Sequence, residues 1–485
     1  MQTTLQFPTG ETTSDVTHAI GSEHMTKLLG AWNQNGTAYQ ELATTLHILI
    51  DDGRLPVGTR IPAERVLAAK CGISRNTVTA AYSMLREMGY LHSIRGAGTF
   101  TVIPPDSGGR VRTVAWAPPK PMPGVIDLGV ATLPAKEPEL GDAVRAAAGE
   151  LADYSGAGGY DLVGIPALRK AIAQRYTRRG LPTHADEIMV TVGAHHAWGL
   201  LLRLLSGRHE RVLVDSPTYP NALAAITASG GRPLSIGLGP EGWDVDLIES
   251  VLSQSKPVLA FLMTDFHNPT GLSMTVAQRK AIAAAARRSG TYLVVDDTLA
   301  ELALDGQAQL PSMVSFGGGG RIIVINSLSK TFWGGLRVGW IRAARPVIER
   351  AVASRGPSDA GNPIIQQLVA LHMLEGFDDM LADRRRLLSG QRDALVRALH
   401  DRLPQWRFKV PEGGLVLWAD LGERISTRLS AAAPRYGVQV LAGPRFGTEG
   451  TLDGFLRLPF TLDEATLTEG VNRLALAYEE VAGRP

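Results

Sequence analysis

Cysteine is almost missing from this chain: Cys71 is the only one in 485 residues. No internal disulfide can form, and no cysteine cluster is available to hold a metal. Long hydrophobic runs are lacking too, since apolar stretches such as 292–295 and 322–325 fall far short of the roughly 18 residues that a membrane span needs. No basic segment followed by an apolar core opens the chain, so no secretory signal is expected and the cytoplasm is the expected location. Charge of one sign is not in excess: 49 Lys and Arg against 47 Asp and Glu leave +2. That balance is too small to imply nucleic acid by bulk attraction, so a DNA-binding case must rest on where basic residues stand. What remains is ordinary for a globular protein, with 44% hydrophobic and 20% charged residues, and the length predicts two or more domains.

Four stretches follow along the chain. Residues 1–37 are polar and rich in Gly and Thr, with a short apolar piece, 25–32, that reads as a helix packing on what comes next. Residues 38–102 read helix, helix, helix, hairpin. Residues 103–124 hold Pro104, Pro105, Pro118, Pro119, Pro121 and Pro123 together with Gly108 and Gly109, a composition that breaks helix and strand and marks a linker. From residue 125 to 485, short β-branched runs (188–191, 212–214, 258–263, 292–295, 321–326) alternate with alanine-rich helical stretches. This is the pattern of an α/β layer around a largely parallel sheet.

In the amino-terminal module, Leu42, Leu46, Leu49 and Ile50 recur at helical spacing, and Gly53 to Gly58 stops that helix. Pro62-Ala63-Glu64-Arg65 starts a second helix, with proline early, where its missing N–H costs nothing. Val66, Leu67 and Ala69 would supply apolar contacts, and Gly72 a tight turn. Ser74 caps a third helix, 75–88, with Val78, Tyr82 and Leu85 facing inward. Arg75, Asn76 and Thr77 fall in its first turn, where a recognition helix presents side chains to a major groove. Segments 90–94 and 99–102 flank Arg95-Gly96-Ala97-Gly98, a hairpin tip free of bulky groups. Seven Lys/Arg stand against five Asp/Glu over 39–102, so bulk charge decides nothing. Position does, because Arg65 and Arg75 begin the second and third helices and Arg95 tips the hairpin. Ile61-Pro62-Ala63-Glu64-Arg65-Val66-Leu67-Ala68, Ile73-Ser74-Arg75-Asn76-Thr77-Val78 and Gly96-Ala97-Gly98-Thr99-Phe100 resemble, in order and spacing, the GntR family of bacterial repressors. The resemblance implies a winged helix–turn–helix in which Arg65, Arg75 and Thr77 contact phosphates or base edges and the Gly98 wing reaches the minor groove. With Ser74, Asn76 and Arg95 they make up the expected DNA-facing set. Cys71 reads as a small buried core residue.

In the second module, Ser327-Leu328-Ser329-Lys330 directly follows an apolar run, and Arg337 comes seven residues later. Asp296 and Asp297 end another such run, where an unpaired buried carboxylate is costly; strand alternation lets only one of them face a given site. His267-Asn268-Pro269-Thr270-Gly271 puts an amide at a strand's carboxyl end, where α/β proteins bind ligands. Thr191-Val192-Gly193-Ala194-His195 is a strand-to-helix turn whose glycine permits close backbone approach, and Pro217-Thr218-Tyr219-Pro220 offers an aromatic ring. Each has a structural explanation taken singly. In this order they supply what pyridoxal phosphate (PLP) needs: a lysine for an imine, a carboxylate to keep the pyridine nitrogen protonated, a stacking ring, and hydroxyls, an arginine and a helix N-terminus for the phosphate.

With Gly164-Ile165-Pro166-Ala167-Leu168-Arg169, Glu412-Gly413-Gly414 and Phe455-Leu456-Arg457-Leu458 added, the stretch from about 125 to 482 resembles fold-type I aminotransferases. The resemblance implies a mainly parallel sheet with a smaller α/β subdomain. It implies Lys330 as the Schiff-base lysine, Asp296 on the pyridinium, Asn268 on the ring oxygen and Tyr219 stacked on the ring. Gly193, Ala194, Ser327, Ser329 and Arg337 would cradle the phosphate, and Arg457 would clamp an effector's carboxylate. It implies a homodimer in which Tyr154 or Tyr160 reaches the neighbour's phosphate. One departure stands out. The family places a tyrosine two or three residues after the ring aspartate, and here those positions hold Thr298, which could offer a weaker hydroxyl, and Leu299. Trp333 is bulky for its loop and either narrows the site or caps it; His195 and His196 read as packing residues rather than acid–base groups.

A GntR-type reader followed by an aminotransferase-like domain resembles the MocR subfamily of regulators. That implies operator DNA as partner and PLP as cofactor. It further implies that vitamin B6 itself, or an amino acid or amine forming an aldimine with it, modulates DNA binding. No metal and no membrane partner are expected. Two other readings remain: a working aminotransferase with a DNA-binding arm, which the missing tyrosine speaks against, and a regulator whose large domain is only a dimerisation scaffold.

Overall fold

The computed structural model describes residues 19–30, 32, 37–51, 54–94, 96–102, 124–156, 158–317, 319–448 and 451–483. The chain divides into two compact units, 1–117 and 118–485. The expected linker, but for Gly124, and Arg95 at the wing tip lie outside the described residues.

The first unit contains α1 (Ser22–Leu29), α2 (Ala38–Asp51), β1 (Arg60–Ile61), α3 (Glu64–Cys71), α4 (Arg75–Glu87), β2 (Leu91–Ile94) and β3 (Gly98–Thr101). Its core is the expected one: Leu42, Leu46, Leu49 and Ile50 of α2 meet Val78, Tyr82 and Leu85 of α4, all essentially without solvent contact. The apolar piece near the start is indeed a helix, and Met25, Leu28, Leu29 and Trp32 add to that core. The hairpin gains a third strand, since β1 pairs antiparallel with β3.

Three details differ from expectation. Pro62 stands before the helix rather than in its first turn; α3 begins at Glu64 after Ala63, and the Pro62 carbonyl accepts the Tyr82 hydroxyl at 2.9 Å. Val66 is 50% exposed and Ala69 is exposed too, because α3 has barely two turns and seats Leu67 and Ala68 instead. Cys71 is only half-buried, its thiol 4.0 Å from the Thr26 hydroxyl of α1.

The second unit opens with β4 (Ile126–Asp127) and is built on seven strands: β5 (Ile188–Thr191), β6 (Arg211–Ser216), β7 (Arg232–Gly237), β8 (Leu259–Leu262), β9 (Tyr292–Asp296), β10 (Ile322–Ser327) and β11 (Gly339–Arg342). Their order is β5-β11-β10-β9-β8-β6-β7. All pairs are parallel except those of β11, which is antiparallel to both neighbours. Both faces are covered, so the strands read as continuous apolar runs. Val212, Val214, Phe261 and Val294 pack toward the helix Ala194–Leu205, whereas Leu213, Ala260, Leu262 and Leu293 pack toward the helix Val276–Ser289. A smaller subdomain carries β12 (Arg407–Phe408), β13 (Val416–Asp420), β14 (Val438–Gln439), β15 (Leu441–Ala442) and β16 (Phe455–Pro459). Four of these form an antiparallel sheet, β12-β13-β16-β15, and β14 pairs with β4. The helices Phe377–Arg402 and Glu464–Ala482 pack together beside it. Among the described residues no helix is long and apolar enough to cross a membrane.

Candidate functional site

The residues singled out in the second unit gather at the carboxyl edge of the parallel strands, where this architecture leaves a crevice. Asp296 ends β9 and Ser327 ends β10; Gly193 follows β5, Tyr219 follows β6 and Asn268 follows β8. Gly339 explains how two of these ends meet. A Cβ there would lie 2.6 Å from the Asn326 carbonyl and 2.7 Å from Gly193 Cα, so only glycine lets β11 press the Gly193 turn against the end of β10.

Lys330 Nζ donates to the Ala131 carbonyl at 2.8 Å. Burial, and then the Arg457 guanidinium, bring its ammonium down to about 8, with Asp296 opposing. Burial raises Asp296, while the hydroxyl and amide of Thr298 and the charge of Lys330 favour its ionised form; the Thr298 amide reaches Oδ1 at 3.0 Å. Thr298 thus engages the aspartate, and Leu299 is buried in the core. Neighbouring Asp297 shares a different environment, with Asp265 and Arg279 nearby. Burial, and secondarily Asp265, push it up to about 8, and its Oδ1 has no hydrogen-bond partner. The alternation expected of the two aspartates holds.

Gly193 has φ 86°, and a Cβ there would fall 2.9 Å from Arg337 Nη2, which itself donates to the Val192 carbonyl at 2.8 Å. The Ser327 hydroxyl meets the Ser329 hydroxyl at 2.7 Å and accepts the Ser329 amide at 3.0 Å. Bare backbone, a guanidinium, gathered hydroxyls and the first turn of the helix from Ala194 make a cradle of phosphate chemistry. The Tyr219 ring meets His195 edge-on at 6.3 Å, and its hydroxyl accepts from Asn221 at 3.0 Å. His196 accepts the Val192 amide at 3.0 Å and pairs with Asp359 at 2.9 Å, a packing role as expected.

Arg457 is buried; it donates to Asn268 Oδ1 at 3.3 Å and to the Gly129 carbonyl, and lies 5.0 Å above the Phe446 ring. Its Nε is buried without a hydrogen-bond partner. Burial, then Arg445, lowers it to about 10. Trp333 is 39% exposed and lies across Gly335, where a Cβ would strike its ring; it covers the loop. Tyr160 is 82% exposed, whereas Tyr154 packs on the core. The carbonyls of Ala131 and Gly129 escaped the sequence reading, because a main-chain acceptor leaves no trace in residue type.

In the first unit, Arg65, Arg75 and Asn76 are exposed along the starts of α3 and α4. Ser74 Oγ accepts the Thr77 amide at 3.1 Å and meets the Thr77 hydroxyl at 2.8 Å, so both residues serve the cap itself. Glu64 accepts from Thr79 at 2.8 Å and lies 3.7 Å from Arg75 Nε, steadying that arginine at the helix start. Gly98 has φ 124°, with Arg60 2.9 Å from where a Cβ would sit.

Fold and site together define a class of protein: a winged helix–turn–helix reader joined to a fold-type I PLP domain. Residues 123–474 match the family Aminotransferase class I and II, and residues 38–101 match the bacterial regulatory proteins of the gntR family. The chain belongs to both families by its two parts, and hence to the MocR-type GntR transcriptional regulators, whose aminotransferase-like domain is PLP-dependent. It is 27% identical to the HTH-type transcriptional regulator TauR of Rhodobacter capsulatus over 463 residues, 88% of this chain and 93% of that one. It is 31% identical to the 2-aminoadipate transaminase of Thermus thermophilus over 301 residues, 61% of this chain and 76% of that enzyme. Among solved structures, LysN, the α-aminoadipate aminotransferase of Thermus thermophilus complexed with N-(5'-phosphopyridoxyl)-L-leucine, superposes with TM-score 0.68 at 29% identity, covering 74% of this chain and 93% of that one.

Proposed function

We propose that this regulator reads an amino acid, an amine or vitamin B6 itself at the Lys330 site, and that the occupant sets its affinity for operator DNA. The Gly193–Arg337 cradle fits PLP, and the unpaired Arg457 Nε fits an anionic effector beside it. Lys330 would hold the cofactor covalently, Asp296 its pyridine nitrogen, Asn268 its ring oxygen and Tyr219 its ring face. Gly193, Ala194, Ser327, Ser329 and Arg337 would hold its phosphate, and Arg457 an effector's carboxylate. Bound there, PLP supplies an electron-withdrawing ring and an aldehyde carbon reactive toward amines. Thr298 serves by fixing Asp296. DNA would be met by Arg65, Arg75, Asn76 and the capped α4 start, with the Arg95–Gly98 wing alongside. A homodimer would present two readers to two half-sites.

One observation carries the choice of regulator over enzyme: Thr298 and Leu299 occupy the positions of the family's phenol, the first bonding Asp296 through its amide and hydroxyl and the second buried in the core. A site so built binds PLP but lacks a hydroxyl acid to share its ring oxygen. The test is a pair of measurements on purified protein. Wild type should become yellow with PLP and yield a borohydride-fixed adduct that Lys330→Ala does not form, while turnover of amino acids with keto acids stays near background. Rapid multiple turnover would make it an enzyme, and a colourless wild type a scaffold.

A further inference from the structure

A buried guanidinium on the long helix Phe377–Arg402 takes no part in the site described above. Arg384 is 5% exposed. Its Nη2 donates to the Pro134 carbonyl at 2.9 Å and to the Phe332 carbonyl at 3.0 Å, and its Nε reaches the Thr331 carbonyl at 3.4 Å. Thr331 and Phe332 are the two residues that follow Lys330. Pro134 closes the segment that begins beyond β4 and includes Ala131, whose carbonyl receives the Lys330 amine at 2.8 Å. One planar fork therefore ties together the segment that carries the amine and the segment that accepts its hydrogen bond.

The placement is costly. Burial depresses the Arg384 guanidinium, with the charge of Glu139 opposing, and its hydrogen-bond partners among the described residues are carbonyls. A buried cation so held needs those acceptors, and they in turn are held by it. Its neighbours on the helix reach the same surroundings. Lys136 pairs with Asp383 at 2.7 Å, Arg385 Nε donates to the Glu301 carbonyl at 2.9 Å, and Arg392 Nη1 pairs with Asp305 at 2.5 Å. Through Arg384 and Arg385 this helix is thus fastened to the loops that follow Lys330 and Asp296.

We infer that Arg384 is a positioning residue for Lys330: it locks residues 331–332 to the segment ending at Pro134, so that the amine is presented at one height and a change at the amine is felt by the helix Phe377–Arg402. The inference rests on the proposal that Lys330 holds PLP. A purely structural arginine would affect melting and little else. The test compares full-length wild type with Arg384→Met, which keeps length and removes the fork, with Arg384→Lys, which keeps charge and one donor group, and with Arg397→Met, an exposed arginine further along the same helix that pairs with Glu464. The readouts are PLP release after dilution and visible circular dichroism per PLP bound, which reports how rigidly the chromophore is oriented. Arg384→Met should release PLP about tenfold faster with dichroism about halved, and Arg384→Lys should fall between, as expected when hydrogen bonds to a charged group are lost. Arg397→Met should keep wild-type values of both. Wild-type release and dichroism in a folded Arg384→Met overturn the inference; should that variant not fold, the same result in Arg384→Lys overturns it. A wild type that takes up no colour removes the PLP proposal and this role together, whereas a coloured wild type with unchanged variants removes only the role of Arg384.

Discussion

Lys330 sits between two influences of opposite sign, with burial and Arg457 disfavouring its charge and Asp296 favouring it, and the first pair prevails. Its ammonium falls to about 8 rather than the usual lysine value near 10.4. The neutral amine is the nucleophile, so the rate of colour formation on adding PLP to apo-protein should rise with pH and reach half its plateau near 8. A rate that climbs only around pH 10 would mean the amine is solvated as on a free lysine. Much of this scale was legible from residue types alone. Lys330, Asp296, Asn268, Gly193, Arg337 and Arg457 each bring a side chain, or a missing one, whose chemistry names its use; the structure gathers the first five at one edge of the large sheet, and Arg457 reaches Asn268 from β16 of the smaller sheet. The carbonyls of Ala131, Gly129 and Pro134 could not be read that way, nor could Arg384, one of many arginines until its acceptors are seen. Alternation separated Asp296 from Asp297 without ranking them, and the family resemblance chose Asp296; in the structure Asp296 and Lys330 act on each other's charge, while Asp297 lies with Asp265 and Arg279.

Elements were legible where a period or a cap announced them. A helix over 40–52, observed over 38–51, and the core positions Val78, Tyr82 and Leu85 followed from spacing, and Ser74 announced the start of α4. The short helix α3 defeated the same reasoning at Val66 and Ala69, since two turns give a period too little length to define a face. The two-residue strand β1 and the antiparallel β11 also went unread, the first for brevity and the second because Gly339 looks like a breaker until its crowding against Gly193 is seen. The cap itself invites a test. Ser74→Ala removes the acceptor of the Thr77 amide and should cost the amino-terminal unit about 1 kcal/mol. Because Arg75 and Asn76 ride on that first turn, operator affinity should fall as well, while PLP binding stays at the wild-type level. Calorimetry and an operator titration read the two effects; unchanged operator affinity would show that the DNA contacts do not depend on the order of this turn.

At the scale of the whole molecule, the order of two modules carried more than any motif within them. A winged reader and a PLP fold are each common chemistry, but in one chain they put a small-molecule site and a DNA surface under one linkage relation. If the occupant of the Lys330 site changes operator affinity by some factor, operator changes the affinity for that occupant by the same factor, whatever path joins them. An occupant that binds equally in both arrangements of the readers would change nothing, however tightly it binds. The direct measurement is operator affinity of full-length protein, at one fixed salt concentration, without PLP, with PLP, and with PLP plus a panel of amino acids and amines, for wild type and Lys330→Ala. Wild type should shift by about fivefold or more between two of these states, the lower end of ordinary coupling free energies, and Lys330→Ala should give one affinity throughout. Equal affinities across every state in wild type, measured on protein shown to carry PLP, would contradict the control of DNA binding from this site.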